Sequence, residues 1–232
     1  MIIGINAGHT LSGQGSGAVG YVNESTETRH IVSEVTKYLQ NQGHTVINCT
    51  VDSANTNKEY LQKVVNIANG KNLDLFVSIH LNAFDKVAQG VEVYTYNGAE
   101  HKEAVDMVNK ISALGFVKRA DGKNGTCKDG SHLYVVKHTK AKAILLETFF
   151  CDSLHDVQLY KVRFDDICRA IAESISGQKI EVVNVNKCSN EHFEEAKKKM
   201  MSIGVTDGTR PKDTATREEV WSMLTRLLNH IK

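Results

Sequence analysis

The stretch Leu75-Phe-Val-Ser-Ile-His-Leu-Asn-Ala83 decides the fold class of this chain. From Leu73 onward, the run is nearly all apolar before it reaches His80, which predicts a β-strand buried on both faces. Strands of this kind occur in parallel sheets, where helices cover both sides. The sequence therefore predicts an α/β fold with His80 at the carboxyl end of a buried strand.

Strand-like and helix-like segments alternate on both sides of this stretch. Apolar runs predict further strands at residues 2–8, 44–51, 90–96, 132–137 and 143–150, and helical spacing predicts helices at about 23–41, 57–69, 99–114 and 164–175. This alternation predicts a twisted, mainly parallel sheet flanked by helices on both faces. In the 90–96 segment, Val91 and Val93 alternate with Glu92 and Tyr94, so that strand is expected to be less covered.

Three chemically active side chains lie at or near the ends of apolar strand runs: His9, His80 and Glu147. In open α/β sheets, ligands gather at the carboxyl ends of the strands, so these segments can converge on one pocket. Glu147 lies inside the apolar run Ala143–Phe150, where an unpaired carboxylate is costly to bury. It therefore needs a metal, a cation or a hydrogen-bond network beside it, and a simple buried ion pair is the alternative.

Zinc hydrolases typically use three protein ligands and leave a fourth position for water. The metal activates that water and polarises the carbonyl, while a carboxylate outside the ligand set moves the proton. His9, Glu24, His80 and Glu147 would supply such a set. Spacing alone indicates this only weakly, because the chain has no local His-Glu-x-x-His motif and its ten histidines offer many accidental pairs.

Four sequence blocks carry a family resemblance that is much more specific. They are Ile5-Asn-Ala-Gly-His9, Gly17-Ala-Val-Gly20 leading to Asn23-Glu24-Ser25, the Leu75–Ala83 stretch, and Leu145-Leu-Glu-Thr-Phe-Phe150. In this order and register they resemble the zinc N-acetylmuramoyl-L-alanine amidases of the amidase 3 family, especially its phage endolysin members. The resemblance covers about residues 1–176, the expected catalytic domain.

The resemblance implies one Zn²⁺ held by His9, Glu24 and His80, with Glu147 as the catalytic carboxylate. The implied reaction is hydrolysis of the amide that joins the lactyl group of muramic acid to L-alanine in bacterial peptidoglycan. Two alternatives stay open: a zinc peptidase that cuts another stem-peptide bond, and a wall-binding protein without catalytic activity. New N-terminal alanine in the products would identify the amidase.

The first two blocks leave two questions. The family's common Asp-Pro-Gly-His-Gly is replaced here by Asn6-Ala-Gly-His-Thr10, so a hydrogen-bonding side chain is kept near the metal but its charge is lost. Glu27 follows Glu24 by three residues and lies on nearly the same helical face, which makes it the alternative third ligand. Either acid could instead serve only to stabilise the first turn of the helix.

Two further residues, His132 and Cys151, are candidates for roles in the reaction. His132 is predicted to begin a strand close to Glu147, where it would contact substrate or hold water, although an ordinary strand-end residue is the alternative. Cys151 follows the catalytic strand, but no histidine and acid are marked as its partners, so a thiol mechanism is disfavoured.

Bulk composition excludes several other classes. The chain has 28 basic and 27 acidic residues, so it has no strong field for binding nucleic acid. Five scattered cysteines without a Cys-x-x-Cys pair indicate neither a disulfide framework nor a thiolate zinc site. The N-terminus lacks a basic region and a long apolar run, so we expect no membrane insertion. We also expect synthesis in the cytoplasm without a signal peptide, and action on the wall after membrane permeabilisation.

A second, small helical unit is predicted after a polar linker at 177–189. It spans 190–232, and its last helix begins with a capping box at Thr216–Glu219. The segment Met201–Trp221 resembles the latter part of an S-layer-homology repeat, which implies binding to the wall or to a secondary wall polymer, with Trp221 as a binding aromatic. The last helix carries an apolar stripe that is too broad for so small a core, so a homodimer or docking on another surface is the alternative. Its members are Val220, Trp221, Leu224, Leu227, Leu228 and Ile231.

Overall fold

The computed structural model describes residues 1–13, 15–120, 125–181, 190–207, 209 and 216–231. The chain divides into two compact units, Met1–Ile180 and Glu181–Lys232. The first unit extends four residues past the predicted catalytic boundary at 176. Most of the predicted linker, residues 182–189, lies outside the described part of the chain.

The first unit is built on a six-stranded sheet. Its strands are β1 (Ile2–Ala7), β2 (Thr45–Asn48), β3 (Leu75–Asn82), β4 (Glu92–Thr95), β5 (Cys127–Asp129) and β6 (Lys142–Phe150). They lie in the order β2-β1-β3-β6-β4-β5. All neighbouring pairs are parallel except β4 with β6, which is antiparallel. The prediction of a mainly parallel sheet is confirmed.

Helices cover both faces of this sheet. They are α1 (Glu24–Asn41), α2 (Asn57–Asn69), α3 (Lys102–Ser112), α4 (Tyr134–His138) and α5 (Leu154–Ser176). One buried cluster joins α1, α3 and α5 to the sheet, and a second joins α2 and α4 to the opposite face. The two helix layers leave the strand ends as the part of the sheet that a ligand can reach.

The middle strands bury both of their faces. In β6, Ile144 and Leu146 belong to the α1 side, whereas Ala143 and Leu145 belong to the α2 side. Side chains of a strand alternate between faces, so Glu147 continues the α2-side set. This double burial is why the strands appear in the sequence as nearly continuous apolar runs.

The predicted strand at 132–137 is wrong. This segment contains helix α4, and the edge strand is the earlier β5, three residues long. Val135 and Val136 are buried as part of the α2-side cluster, a role that one turn of helix fills as well as a strand does. A short apolar run does not distinguish a strand from a helix, because it contains too few residues to show the period of either structure.

The second unit contains two described helices, α6 (Asn190–Ser202) and α7 (Arg217–Ile231). The predicted capping box is present: the Glu219 backbone N–H donates to Thr216 Oγ1 at 3.2 Å, and the Thr216 N–H donates to the Glu219 carboxylate at 2.8 Å. On α7, Val220, Trp221 and Leu224 are exposed. Within the described ranges, no helix is long and apolar enough to cross a membrane.

Candidate metal centre

Register brings three site residues into one row across the sheet. His80 of β3 pairs with Glu147 of β6, and Glu147 pairs in turn with Glu92 of β4. Register partners on neighbouring strands place their side chains on the same face of the sheet. The row lies at the carboxyl ends of β3 and β6, where ligands of such sheets bind.

Two imidazoles converge on one oxygen of Glu24. Oε1 of Glu24 lies 3.1 Å from Nε2 of His9 and 3.2 Å from Nδ1 of His80. The donor atoms of these three side chains lie within 4.8 Å of one another. The structure therefore brings together the three predicted ligands, which come from the loop after β1, from α1 and from β3.

Backbone groups fix the position of the Glu24 carboxylate. Glu24 is the first residue of α1, whose N-cap is Asn23, and its carboxylate bends back toward the sheet. Oε1 accepts the Leu81 N–H at 3.1 Å, and Oε2 accepts the Ala18 N–H at 2.9 Å. Because a Cβ on Gly17 would lie 2.7 Å from Oε2, only glycine leaves room for the carboxylate here.

His9 and Gly8 show how closely the two imidazole segments approach. His9 has a φ of 68°, in the left-handed region that is uncommon for residues with a side chain. A Cβ on Gly8 would lie 2.4 Å from the His80 ring, so the Gly-His sequence is needed for the two rings to meet. Strained backbone of this kind is typical of functional sites.

The outer nitrogen of each imidazole also has a partner. His9 Nδ1 lies 2.9 Å from the Gly15 carbonyl, and His80 Nε2 lies 3.1 Å from Ser78 Oγ. The side chain of Asn6 continues this chain, with its amide 2.8 Å from Ser78 Oγ. Partners of this kind orient metal-binding imidazoles and select the tautomer that presents a lone pair to the metal.

The electrostatics suit a cation. Burial raises the pKa of Glu24, but hydrogen bonds from His80 and His9 lower it by more, so the carboxyl is ionised. Burial lowers the pKa of His80, which favours its neutral form. One carboxylate oxygen and two imidazole nitrogens form a three-ligand set that suits zinc and leaves room for water.

Glu147 differs from Glu24 in having no hydrogen-bond donor at one oxygen. Its Oε2 is buried without a hydrogen-bond partner among the described residues. Burial raises the pKa of Glu147 well above its ordinary value, and the nearby carboxylates of Glu24 and Glu92 raise it further. A carboxyl of this kind can hold a proton and return it, as general acid–base catalysis requires.

Glu27 does not join the group. Its carboxylate accepts the Tyr160 hydroxyl at 2.7 Å and lies 3.3 Å from His30 Nδ1. The three-residue spacing from Glu24 therefore turns it toward α5 and away from the imidazoles. Glu24 and Glu27 therefore lie on nearly the same face of α1, but their side chains contact different neighbours.

His132 and Cys151 lie apart from the metal ligands in different ways. The His132 ring packs edge-on against Tyr94 at 6.3 Å between centroids, and the Tyr94 hydroxyl donates to Glu92 at 2.9 Å. His132 thus lies two contacts from the row, just before helix α4 and not in the predicted strand. Cys151 is buried, and burial raises the pKa of its thiol to about 12, which disfavours a thiolate nucleophile.

Sequence reasoning missed the cluster around Glu92. This acid was expected on a less covered face, but it is only 3% exposed. Arg119 Nε and Lys128 Nζ each lie 2.7 Å from its Oε2, while Asn82 donates to its Oε1. The available signal was an acid on a predicted strand next to the Glu147 strand, but the cations come from segments with no strand or helix pattern.

Comparison with known proteins extends over the first unit. Residues 3–177 match the family model described as Amidase_3, N-acetylmuramoyl-L-alanine amidase. The chain is 32% identical over 187 residues to an uncharacterized protein of Clostridium perfringens, a match that covers 78% of this chain and 53% of that protein. It is 27% identical over 192 residues to the endolysin of Bacillus phage SPP1, covering 81% of this chain and 68% of that protein.

A solved structure is similar to most of this chain. The catalytic domain of the CD27L endolysin, described as targeting Clostridia difficile, is 27% identical with a TM-score of 0.69. The match covers 78% of this chain and 99% of that domain. Against two curated Clostridium perfringens relatives, however, the chain spans only 53% and 57% of their length.

Proposed function

The chain belongs to the Amidase_3 family of N-acetylmuramoyl-L-alanine amidases, and we propose that it hydrolyses the amide between the lactyl group of muramic acid and L-alanine in peptidoglycan. The observation that carries this proposal is the convergence of His9 and His80 on Glu24, with Glu147 in register on the next strand. The similarity to two endolysins supports a lytic enzyme that acts on the bacterial wall.

We propose that His9, Glu24 and His80 hold one Zn²⁺. The fit rests on two imidazole nitrogens and one carboxylate oxygen within 4.8 Å of one another. When bound, the ion would supply an activated water and a polarised scissile carbonyl. The hydrogen bonds of Gly15 and Ser78 to the outer imidazole nitrogens would keep the ligand rings in place.

Glu147 would move the proton. As water adds to the scissile carbonyl, Glu147 accepts a proton from it, and as the C–N bond breaks, the carboxyl gives that proton to the leaving nitrogen of L-alanine. The products are a lactyl carboxylic acid and the free α-amine of L-alanine, which become a carboxylate and an ammonium group by transfer of one proton. Oε2 of Glu147, which is buried with no hydrogen-bond donor among the described residues, leaves a position for the proton between these two steps.

The products of purified peptidoglycan test this proposal. We expect new N-terminal L-alanine, loss of this product in the presence of a chelator, and recovery on adding zinc. A different new N-terminal residue would show a peptidase instead. Binding to the wall without any new end would show a wall-binding protein.

We also propose that His132 contacts substrate. His132→Ala should then raise KM for the wall fragment.

For the second unit, we propose attachment to the wall or to a secondary wall polymer through Trp221. The support is its exposed position, 66% on α7, beside the exposed side chains Val220 and Leu224. An exposed apolar stripe of this kind marks an interaction surface, and a homodimer is the competing use of it.

Trp221→Ala in the full chain separates these two uses. Wall attachment predicts that less of the variant sediments with purified wall, while hydrolysis of a soluble wall fragment is unchanged. Dimer formation predicts a lower molecular mass in solution by light scattering. Val162→Ala, which removes an exposed apolar side chain from α5, is the matched control.

A further inference from the structure

We propose that Arg119 and Lys128 form an anion subsite, which binds a carboxylate on the second residue of the peptide that leaves the scissile amide. The inference deepens the proposed function and rests on it. It assigns a binding role to the cluster around Glu92, which the amidase reaction itself does not use.

The charges of this cluster do not balance. Arg119 and Lys128 bring two positive charges to one carboxylate, and both bond the same oxygen, Oε2 of Glu92, at 2.7 Å. One cation would be enough to neutralise a buried acid. Among the described residues, Arg119 and Lys128 form ion pairs with Glu92 alone, so the two cations share one bonded carboxylate and can bind a further anion.

The second oxygen of Glu92 is already engaged by other donors, so it is not free to bond Arg119 or Lys128. Its other oxygen accepts the Asn82 amide at 2.8 Å and the Tyr94 hydroxyl at 2.9 Å. Burial raises the pKa of Glu92, but the hydrogen bonds from Lys128 and Arg119 lower it by more, so the acid stays ionised. Glu92 acts as an anchor that holds both cations in place.

Arg119 keeps donors free for a ligand. It bonds Glu92 through Nε, and its Nη1 is 3.5 Å from the Gln89 carbonyl. Within the described part of the chain, these two nitrogens make all the side-chain hydrogen bonds of Arg119, and Nη2 makes none. The Arg119 side chain is 37% exposed and that of Lys128 is 24% exposed, so both reach solvent while attached to a buried acid.

The guanidinium is also held in position from below. Its Cζ lies 5.0 Å from the centroid of the Phe150 ring, a cation–π contact. The Arg119 N–H donates to the Val91 carbonyl at 3.0 Å, which fixes the segment to the start of β4. A planar fork that is already oriented suits a carboxylate, because its parallel N–H groups match the two oxygens.

The distance from the metal centre identifies which carboxylate fits. His80, Glu147 and Glu92 occupy three adjacent strands, and neighbouring strands lie about 4.8 Å apart, so Glu92 is about 10 Å from His80 along the row. Two extended residues span about 7 Å, and a hydrogen bond adds about 3 Å. The glycan side offers no free carboxylate here, because the lactyl carboxyl is itself part of the scissile amide.

Two soluble muramyl peptides provide the test, one with alanyl-glutamate and one with alanyl-isoglutamine, so that they differ only in one carboxylate. We expect wild type to prefer the acid by about tenfold in kcat/KM, mainly through KM. Arg119→Gln should remove most of this preference, and Arg119→Lys should restore part of it. Lys118→Gln is the matched control, because its ammonium bonds Asn109 instead.

Several outcomes would overturn the subsite. Equal loss on both peptides in Arg119→Gln, with an unchanged preference, would make the cluster purely structural. Thermal unfolding and zinc content of each variant identify a folding defect, and Lys128→Gln must then show the same loss of preference. If wild type cleaves neither these peptides nor purified wall, the proposed function fails separately. The subsite then stands only if alanyl-glutamate binds wild type more tightly than alanyl-isoglutamine in calorimetry.

Discussion

The two sides of Glu147 have the same plan with different chemistry. On one side, Glu24 Oε1 lies 3.1 Å and 3.2 Å from the nitrogens of His9 and His80. On the other, Glu92 Oε2 lies 2.7 Å from the nitrogens of Arg119 and Lys128. Each side is a buried acid, at most 3% exposed, with two basic side chains on one oxygen.

The difference lies in what the bases can give up. An imidazole loses its proton near neutral pH and then offers a lone pair to a metal, whereas a guanidinium keeps its charge in proteins. In the proposed function, the Glu24 site would therefore exchange protons for a metal ion, whereas Glu92 belongs to a site of permanent charge. Placed between them, Glu147 is near carboxylates on both sides, which is why its pKa is raised beyond the effect of burial.

The largest expected effect comes from removing the metal side. Glu24→Gln should lose stoichiometric zinc and lower the amidase rate by at least about 10³-fold, because two ligands hold the ion and its water poorly. Zinc content by atomic absorption and the rate on purified wall measure this. Glu27→Gln is the matched control and should keep its metal, since Glu27 bonds Tyr160. The opposite result in this pair would transfer the ligand role to Glu27.

Glu147, which lies between the two sides, is expected to act in the chemical step and not in metal binding. Glu147→Gln keeps the shape of the side chain but removes its ability to accept a proton, so kcat should fall by about 10² to 10⁴-fold. Zinc content should remain at one per chain. Glu103→Gln, an acid on α3 that pairs with Lys142, is a control for the loss of one charge. Near-full activity in the zinc-loaded Glu147 variant would contradict the catalytic assignment.

On the permanent-charge side, the effect should be on stability. Glu92→Gln leaves two cations without their acid and should destabilise the protein by about 2 kcal/mol, less than a fully buried pair because both cations reach solvent. The folded pKa of Glu92 is lowered, so its contribution is present above the unfolded value of about 4.3 and is lost as pH falls through the folded value. Denaturant unfolding at several pH values should therefore show wild type and variant converging under acid conditions. A gap that widens toward acid would contradict this sign.

The same contrast shows how far the sequence could predict the site. Strands β1, β3 and β6 were predicted because a strand that is buried on both faces has a continuous apolar sequence. The positions of the residues at the ends of these strands follow from that prediction. Glu24, which lies on a helix, was found only through the order of the family blocks. For Glu147, the cost of burying an unpaired carboxylate gave an independent reason.

The permanent-charge side was not predictable in this way. Lys128 lies on β5, which is three residues long and too short to show a period, and Arg119 follows a bridge outside the named strands. The alternation around Glu92 correctly gave a strand, but the wrong burial, because the side chains of Asn82, Tyr94, Arg119 and Lys128 surround this carboxylate. Tertiary contacts that join short segments leave no local signal.

The smallest expected effect concerns the hydrogen bonds behind the metal side. Ser78→Ala removes the partner of His80 Nε2, so the ring loses a constraint on its orientation while all three ligands stay. Zinc affinity should fall by about tenfold in chelator competition, and the rate at saturating zinc should change little. Ser174→Ala, which deletes a buried hydroxyl on α5 that bonds the Ala170 carbonyl, is the control for losing such a group. Loss of one hydrogen bond should matter less on the other side of Glu147. There, Glu92 accepts from four donors, and Arg119 also contacts Phe150. An unchanged zinc affinity in Ser78→Ala would contradict this prediction and show that the hydrogen bond from Ser78 is not needed to orient the His80 ring.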